Sequence, residues 1–581
     1  MRKHLPVALA VLAIGCSKHA PPAAPKPVTN VVRGKPVIPA TWTLKAKPVT
    51  APHAMVVTAH PLATQAGVEI LKQGGNAIDA AVAVAFALEV VLPDAGNIGG
   101  GGFIVHRTAA GEVSALDYRE AAPAGASRDM YLDSAGNVTE KSVVGHLAAG
   151  VPGSVAGLHE AWKRYGSLPW ATLIAPAIRL AGAGHVIDTA RSRDIYYERE
   201  MLTRFPASRA QFLVNDSAPA PGTLWKQPAL ARTLQLISDS GPSVFYRGQI
   251  ADLIVAEMKR GGGLITKEDL GRYEPKWRKP IQITYRGYTI YSMPPPSSGG
   301  VTMGEILNIL EGYDTLPAFG TPGYVHVVTE AMRRAFIDRN RYLGDPDFVE
   351  MPLDRLLSKS YAASLRAQID PQHATPTPPA TSGGDGEPME TTHYSIVDGK
   401  GNAAAVTTTL NGGFGSGVTV TGAGFLLNNE MDDFTSAPGK PNMYGLVQGE
   451  ANAIQSGKRM LSAMTPSIVL DRSGNLQLVV GTPGGPTIIT SVAQVILNVL
   501  DQGMSLEDAV AAPRIHHQAL PDQTFYERGS LSDSTVQALQ AMGHVMQQRR
   551  GHSGIVAAIE KTAAGWVGVA DPRYAGGALG Y

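Results

Sequence analysis

The sequence predicts an α+β fold, and three observations carry that expectation. Residues 391–398 and 403–410 alternate as two strands do, with Gly399-Lys400-Gly401 supplying the glycines of a tight turn. Pro61 and Gly74-Gly75 bracket an amphipathic helix, proline suiting a first turn and glycine a helix end. Residues 150–370 read as mostly helical, interrupted by a strand pair around residues 281–293.

At the start of the chain, Arg2 and Lys3 precede an apolar run over residues 5–15 that reads as a secretory signal rather than a membrane span. It ends in Leu12-Ala13-Ile14-Gly15-Cys16, and Cys16 is the only cysteine, so it has no partner for an internal disulfide. This run resembles a bacterial lipoprotein processing site, which implies a signal peptide 1–16 and acylation of Cys16. Cleavage nearby as an ordinary signal peptide is the alternative. Residues 17–50, rich in Pro, Ala and Lys, are then expected to be a tether, and the protein to be exported, either periplasmic or membrane-anchored. Residues 54–60 read as a buried strand. Asn76 is placed to cap a helix over residues 77–91, apolar nearly all round and so internal, with Asp79 and Glu89 arguing against a membrane span. The glycines at 99–102 fit neither a phosphate loop nor a dinucleotide fingerprint and are expected to let backbones pack closely. Residues 103–107 and 113–118 form a hairpin leading into Asp117-Tyr118-Arg119-Glu120.

A chain of 581 residues, 44% apolar, can bury a large core, and its net charge of +1 gives no electrostatic reason to expect nucleic acid. His159-Glu160 begins like a zinc motif, but Lys163 stands where the second histidine belongs. Ser416 lacks the nucleophile-elbow spacing, and His516-His517 read as packing or surface residues. No metal or cofactor is expected.

The chemistry is expected in the hairpin. Centred on Lys400, it sets Thr409 opposite Thr391 with side chains close enough to interact; a bulge would shift this register by one. Residues 374–390, just before it, are rich in Pro, Gly, Ser and Thr and read as an exposed loop. The run 391–411, with Leu427-Asn428-Asn429-Glu430-Met431-Asp432-Asp433-Phe434 and Pro483-Gly484-Gly485, resembles the gamma-glutamyltranspeptidases. The resemblance extends from Ala54 to Tyr581. It implies a four-layer αββα sandwich of the N-terminal nucleophile hydrolase type. It also implies a precursor that cuts itself between Glu390 and Thr391 into a large subunit, 51–390, and a small subunit, 391–581.

The implied reaction removes the gamma-glutamyl group of glutathione or a related compound and passes it to water or to an amino acid or peptide acceptor. Thr391 is then the nucleophile, with its own freed amino group as base, and Thr409 orients it. Gly484 and Gly485 offer backbone N–H groups to the oxyanion. Arg119 grips the substrate carboxylate, and Glu430 with Asp433 holds the amine. Asn411 and Ser462 contact one or the other, and residues 438–449, with Tyr444, resemble the lid. Without the resemblance, Arg119 reads as a surface arginine and the acidic cluster as a solvated loop. Ala463 stands where many family members carry a second serine, and Met460 where proline is common. Two other readings therefore stay open: an acylase for a different amide, such as a cephalosporin side chain, and an uncleaved lipid-tethered binding protein. Acylase relatives often lack the lid, so its presence favours the peptidase reading.

Overall fold

The alternation in residues 391–409 builds the centre of a sheet. Thr391–Val397 and Ala403–Thr409 pair antiparallel with Thr391 opposite Thr409, so no bulge shifts the register. Met55–Thr58 and Gly577–Gly580 extend this sheet on one side, and Gly101–Arg107, Val113–Asp117 and Lys276–Arg278 on the other, seven strands in all. A second seven-stranded sheet runs Val49–Ala51, Gly565–Ala570, Ala557–Thr562, Leu476–Gly481, Ser467–Leu470, Tyr288–Ser292, Ile281–Tyr285. The computed structural model describes residue 1, residues 34–377 and residues 391–581. The signal peptide from residue 2, Cys16, tether residues 17–33 and Glu390 lie outside the described residues.

Successive strand residues face different layers. Tyr394, Ile396, Ala404 and Val406 join a core with the helices Pro61–Lys72 and Ala77–Val91. Val397, Ala403 and Ala405 instead meet Ile468, Val479 and Ile559 of the second sheet. The far face of that sheet, with Val469, Leu478 and Val480, packs on Gly299–Glu311, Pro322–Tyr342 and Thr487–Leu500. The order is helix, sheet, sheet, helix, the expected αββα sandwich. Thr391 shares the inter-sheet face with His393 and Ser395. His393 is buried there, with Nδ1 2.8 Å from Thr407 Oγ1 and Nε2 3.1 Å from Ser395 Oγ, and burial lowers its pKa to about 3.

Local expectations hold where the sequence signals are local. The Asn76 side chain accepts from the N–H groups of Ile78 and Asp79, while Asp79 accepts from Asn76 N–H at 2.9 Å; this explains the charge inside an otherwise apolar, fully buried helix. The glycine run packs as closely as expected: a Cβ on Gly101 would lie 2.6 Å from Glu120 Oε2. The two-residue ribbon His185–Val186 with Leu224–Trp225 is too short to leave a period in the helical stretch around it.

Residues 34–50, expected within the tether, lie against the body. Val37 N–H donates to Phe319 O at 2.8 Å, Thr41 Oγ1 to Gly529 O at 3.0 Å and Trp42 Nε1 to Ala511 O at 2.9 Å, and Val49–Ala51 pairs with Gly565–Ala570. Among the described residues no helix is long and apolar enough to cross a membrane.

Candidate active site

The hairpin register puts two hydroxyls face to face at the ends of two central strands. Thr391 Oγ1 and Thr409 Oγ1 are 3.1 Å apart, and Asn411 N–H donates to Thr409 Oγ1 at 2.8 Å. Asn411 sits at φ 75°, a left-handed conformation that asparagine tolerates, and its Nδ2 donates to Asn429 O at 3.0 Å. The chain thereby turns from the strand toward the acidic segment. Thr391 opens onto a cleft lined also by Arg119, Arg339, Asn411, Glu430, Asp433, Tyr444, Ser462, Ala463 and Gly485.

Arg119 is buried, not on the surface, and so are Glu430 and Asp432; only Asp433 keeps partial exposure. Burial of this acidic turn corrects the solvated-loop expectation, because Arg119 supplies the missing countercharge. Arg119 Nη1 lies 2.7 Å from Glu430 Oε1 and 3.8 Å from Glu120 Oε2; Nη2 donates to Asp433 Oδ2, and Nε to Met460 O at 3.3 Å. Burial alone would lower the Arg119 pKa, but the charges of Glu430, Asp433 and Glu120 outweigh it and raise it. On the carboxylate side burial wins: Glu430 is pushed well up and Asp433 up, with Arg119 offsetting only part. Glu120 is raised to about 7 by burial, again against Arg119. The two directions agree physically, because Arg119 and, toward Asp433, Arg339 offset only part of the cost of withdrawing three carboxylates from water. Glu120 and Glu430 face each other as a carboxyl pair, and a hydrogen bond from Glu430 offsets part of the burial that raises Glu120.

The sequence reading missed two groups. Arg339, buried on Pro322–Tyr342, lines the same cleft and stays charged at neutral pH although burial lowers its pKa to about 10. Its Nε donates to Ser298 Oγ and its Nη1 to Gln448 Oε1, both at 3.0 Å. A signal existed, since Val325, Val328, Met332, Ala335 and Arg339 follow one another at helical spacing on the buried stripe. Glu120 is the second. The turn over residues 294–300 fixes the neighbouring wall. Ser462 N–H donates to Pro296 O at 2.8 Å, and Ser298 Oγ to Ser462 O at 2.6 Å. Ala463 and Met460 are both buried beside it, Ala463 at the cleft.

Tyr444 closes the cleft from above: its hydroxyl donates to Asn411 O at 2.6 Å, and the Pro441–Val447 bridge makes its loop a small hairpin. A Cβ on Gly485 would lie 2.9 Å from the Tyr444 ring. Gly484 and Gly485 have φ of 134° and 54°, values that glycine supplies without strain. Gly485 lines the cleft, while Gly484 sits just behind it, its carbonyl accepting from Thr487 Oγ1 at 2.7 Å. His516 and His517, expected as packing or surface, are fully buried and hydrogen-bonded away from the cleft.

The site can now be set beside known proteins. The family model described as gamma-glutamyltranspeptidase matches residues 63–581. A glutathione hydrolase proenzyme of Pseudomonas sp. (strain A14) is 50% identical over 85% of this chain and 87% of its own length. One of Escherichia coli (strain K12) is 46% identical over 90% of this chain and 91% of its own. The crystal structure of a cephalosporin acylase from Bacillus halodurans superposes with a TM-score of 0.83 at 30% identity, covering 93% of this chain and 98% of the acylase. With a family model spanning most of its length and relatives near half identical, the chain belongs to the gamma-glutamyltranspeptidase family.

Proposed function

We propose that the chain is a precursor that cuts itself between Glu390 and Thr391 and then acts as a gamma-glutamyl hydrolase and transferase. It takes the gamma-glutamyl group of glutathione or a related compound to water or to an amino acid or peptide. The observation that carries this reading is the 3.1 Å meeting of the Thr391 and Thr409 hydroxyls in a cleft whose other wall is Arg119, Glu430 and Asp433.

In maturation the Thr391 hydroxyl oxygen attacks the Glu390 carbonyl carbon, and its proton passes to the Thr391 nitrogen as that nitrogen leaves. The peptide becomes an ester. Water then cleaves the ester, giving a large subunit, 51–390, that ends in a carboxylate and a small subunit, 391–581, that begins with a free amine. That amine is the base for turnover. It takes the Thr391 hydroxyl proton as the oxygen attacks the substrate's gamma-carbonyl, and returns it to the departing amine. Gly484 and Gly485 N–H groups face the developing oxyanion, where one donor is worth about 3–4 kcal/mol. Thr409 orients the nucleophile, Asn411 and Ser462 shape the pocket, and the Tyr444 lid limits water at the acyl-enzyme, which favours transfer to an amine acceptor over hydrolysis.

The glutamyl head is a zwitterion, and the buried charges suit it. Its carboxylate takes Arg119, while its ammonium takes Glu430 and Asp433. Each internal ion pair is exchanged for an external one, so no buried charge is left unpaired. The test is the mass of the small subunit mixed briefly with glutathione. One added glutamyl group, absent when Thr391 is replaced, is expected; substrate consumed without added mass at any time would contradict the acyl-enzyme.

Ala463 favours a second reading, an amide acylase of the same fold, because one wall of the cleft carries a methyl group at that position. A substrate panel separates the two: kcat/KM for gamma-glutamyl amides at least about a hundredfold above that for cephalosporin side-chain amides is expected. We also place the protein outside the cytoplasm, anchored through an acylated Cys16; Cys16→Ser should then move it from the membrane to the soluble fraction.

A further inference from the structure

The segment before the proposed cleavage site begins with a stem, residues 374–377, held mainly by charged groups. Ala374 N–H donates to Met542 O at 2.7 Å. Thr375 donates through N–H at 3.1 Å and through Oγ1 at 2.6 Å to the two oxygens of Glu330. Glu330 is fully buried and also holds Arg333 and Arg334, three and four residues along the same helix, so it is in position before the stem arrives. Arg334 Nη2 donates to Thr375 Oγ1 at 3.1 Å. Thr377 N–H donates to Asp522 Oδ2 at 2.8 Å, and Arg333 Nη1 bridges Thr377 Oγ1 and Asp522 Oδ1. Asp522 is oriented in turn by His517: Ala519 N–H donates to His517 Nδ1, so Nε2 carries the proton and faces Asp522 at 3.2 Å.

These contacts are unequal in origin. Glu330, Arg333 and Arg334 precede Thr391 in the chain, whereas Met542 and Asp522 follow it. The stem therefore joins the two products of the proposed cleavage. Thirteen residues, 378–390, separate Thr377 from Thr391. We propose that Glu330, Arg333, Arg334 and Asp522 form a docking clamp for residues 374–377, which holds the stem during self-cleavage and keeps the end of the large subunit seated on the small one afterwards. The inference rests on the self-processing reading above.

Amide hydrogen exchange tests the clamp directly. Pro376, Pro378 and Pro379 carry no amide hydrogen, so exchange over residues 374–379 reports only Ala374, Thr375 and Thr377, each bonded in the clamp. In the two-chain wild type all three are expected to be protected. In Asp522→Ala the Thr377 amide should exchange roughly tenfold faster or more, since its acceptor is charged. Precursor conversion should slow by less than about twofold, since Ala374 and Thr375 keep their bonds, with kcat and KM of the matured fraction unchanged. Thr377→Val, which leaves the body untouched, should raise exchange at Thr377 in the same direction and serves if Asp522→Ala does not fold. Unprotected stem amides in the wild type, or exchange unaltered in both variants, would overturn the clamp. A wild-type protein that stays one chain would instead sink the self-processing reading, while amide protection would still decide whether the stem docks.

Discussion

Thr391 and Thr409 are 18 residues apart on one hairpin, whereas Arg119 reaches across 314 residues to Asp433 in the same cleft. The nucleophile pair is placed by a turn and a register, both local. The charged wall is placed by the fold, with Arg119 after one strand, Arg339 on a long helix and Glu430 in a short turn. The energetics differ as well. The hydroxyl pair is a neutral contact whose loss leaves little stranded. The charged wall holds Arg119 and Arg339 against three carboxylates, so removing any member leaves the others short of countercharge.

That contrast sets the order of the expected effects. Arg119→Ala should be the most damaging change, leaving Glu430, Asp433 and Glu120 without their cation; a loss of about 3–5 kcal/mol in stability is expected, read by denaturant unfolding. Arg119→Lys should keep most of the stability and lose affinity, since an ammonium cannot make the forked contact.

Next comes pH. Glu120 is raised by burial from 4.5 to about 7. A carboxyl raised in the folded state stays protonated there while the unfolded chain ionises, so its contribution to stability is lost as pH rises from about 4.5 to about 7, and is level above that. Glu120→Gln should flatten the fall of Tm over this window; an unchanged slope would show that Glu120 ionises like an exposed acid.

On the hairpin side the effects should be smaller. Thr409→Val removes the contact to Thr391 and the acceptor for Asn411 N–H, and should lower kcat about tenfold with a stability loss of about 1 kcal/mol. Thr409→Ser should restore both, and failure of that rescue would assign Thr409 a packing role. Smallest of all, Ala463→Ser adds one hydroxyl at the cleft wall and should lower KM for a gamma-glutamyl amide by roughly two- to tenfold.

The same division explains what could be read from the sequence. The register of the hairpin, the Asn76 cap and the packing role of the glycine run depend on residues within a few positions, and the fold follows them. Arg119 and the acidic turn looked solvent-exposed because nothing near either in sequence reveals the other. Arg339 sat in view on an apolar stripe, but a single arginine at a buried helical position reads as an exception until the cleft beside it is seen. Trp42 and Thr41 sit in a stretch whose proline and lysine content suggests a tether, and their partners lie more than 400 residues away.

The most direct measurement is a denaturing gel of the purified protein beside Thr391→Ala, with N-terminal sequencing of any new band. Two bands in the wild type, the smaller beginning at Thr391, and one band in the variant are expected of a nucleophile that frees itself. A wild-type protein that remains a single chain, or a variant that splits as the wild type does, would contradict the assignment of Thr391.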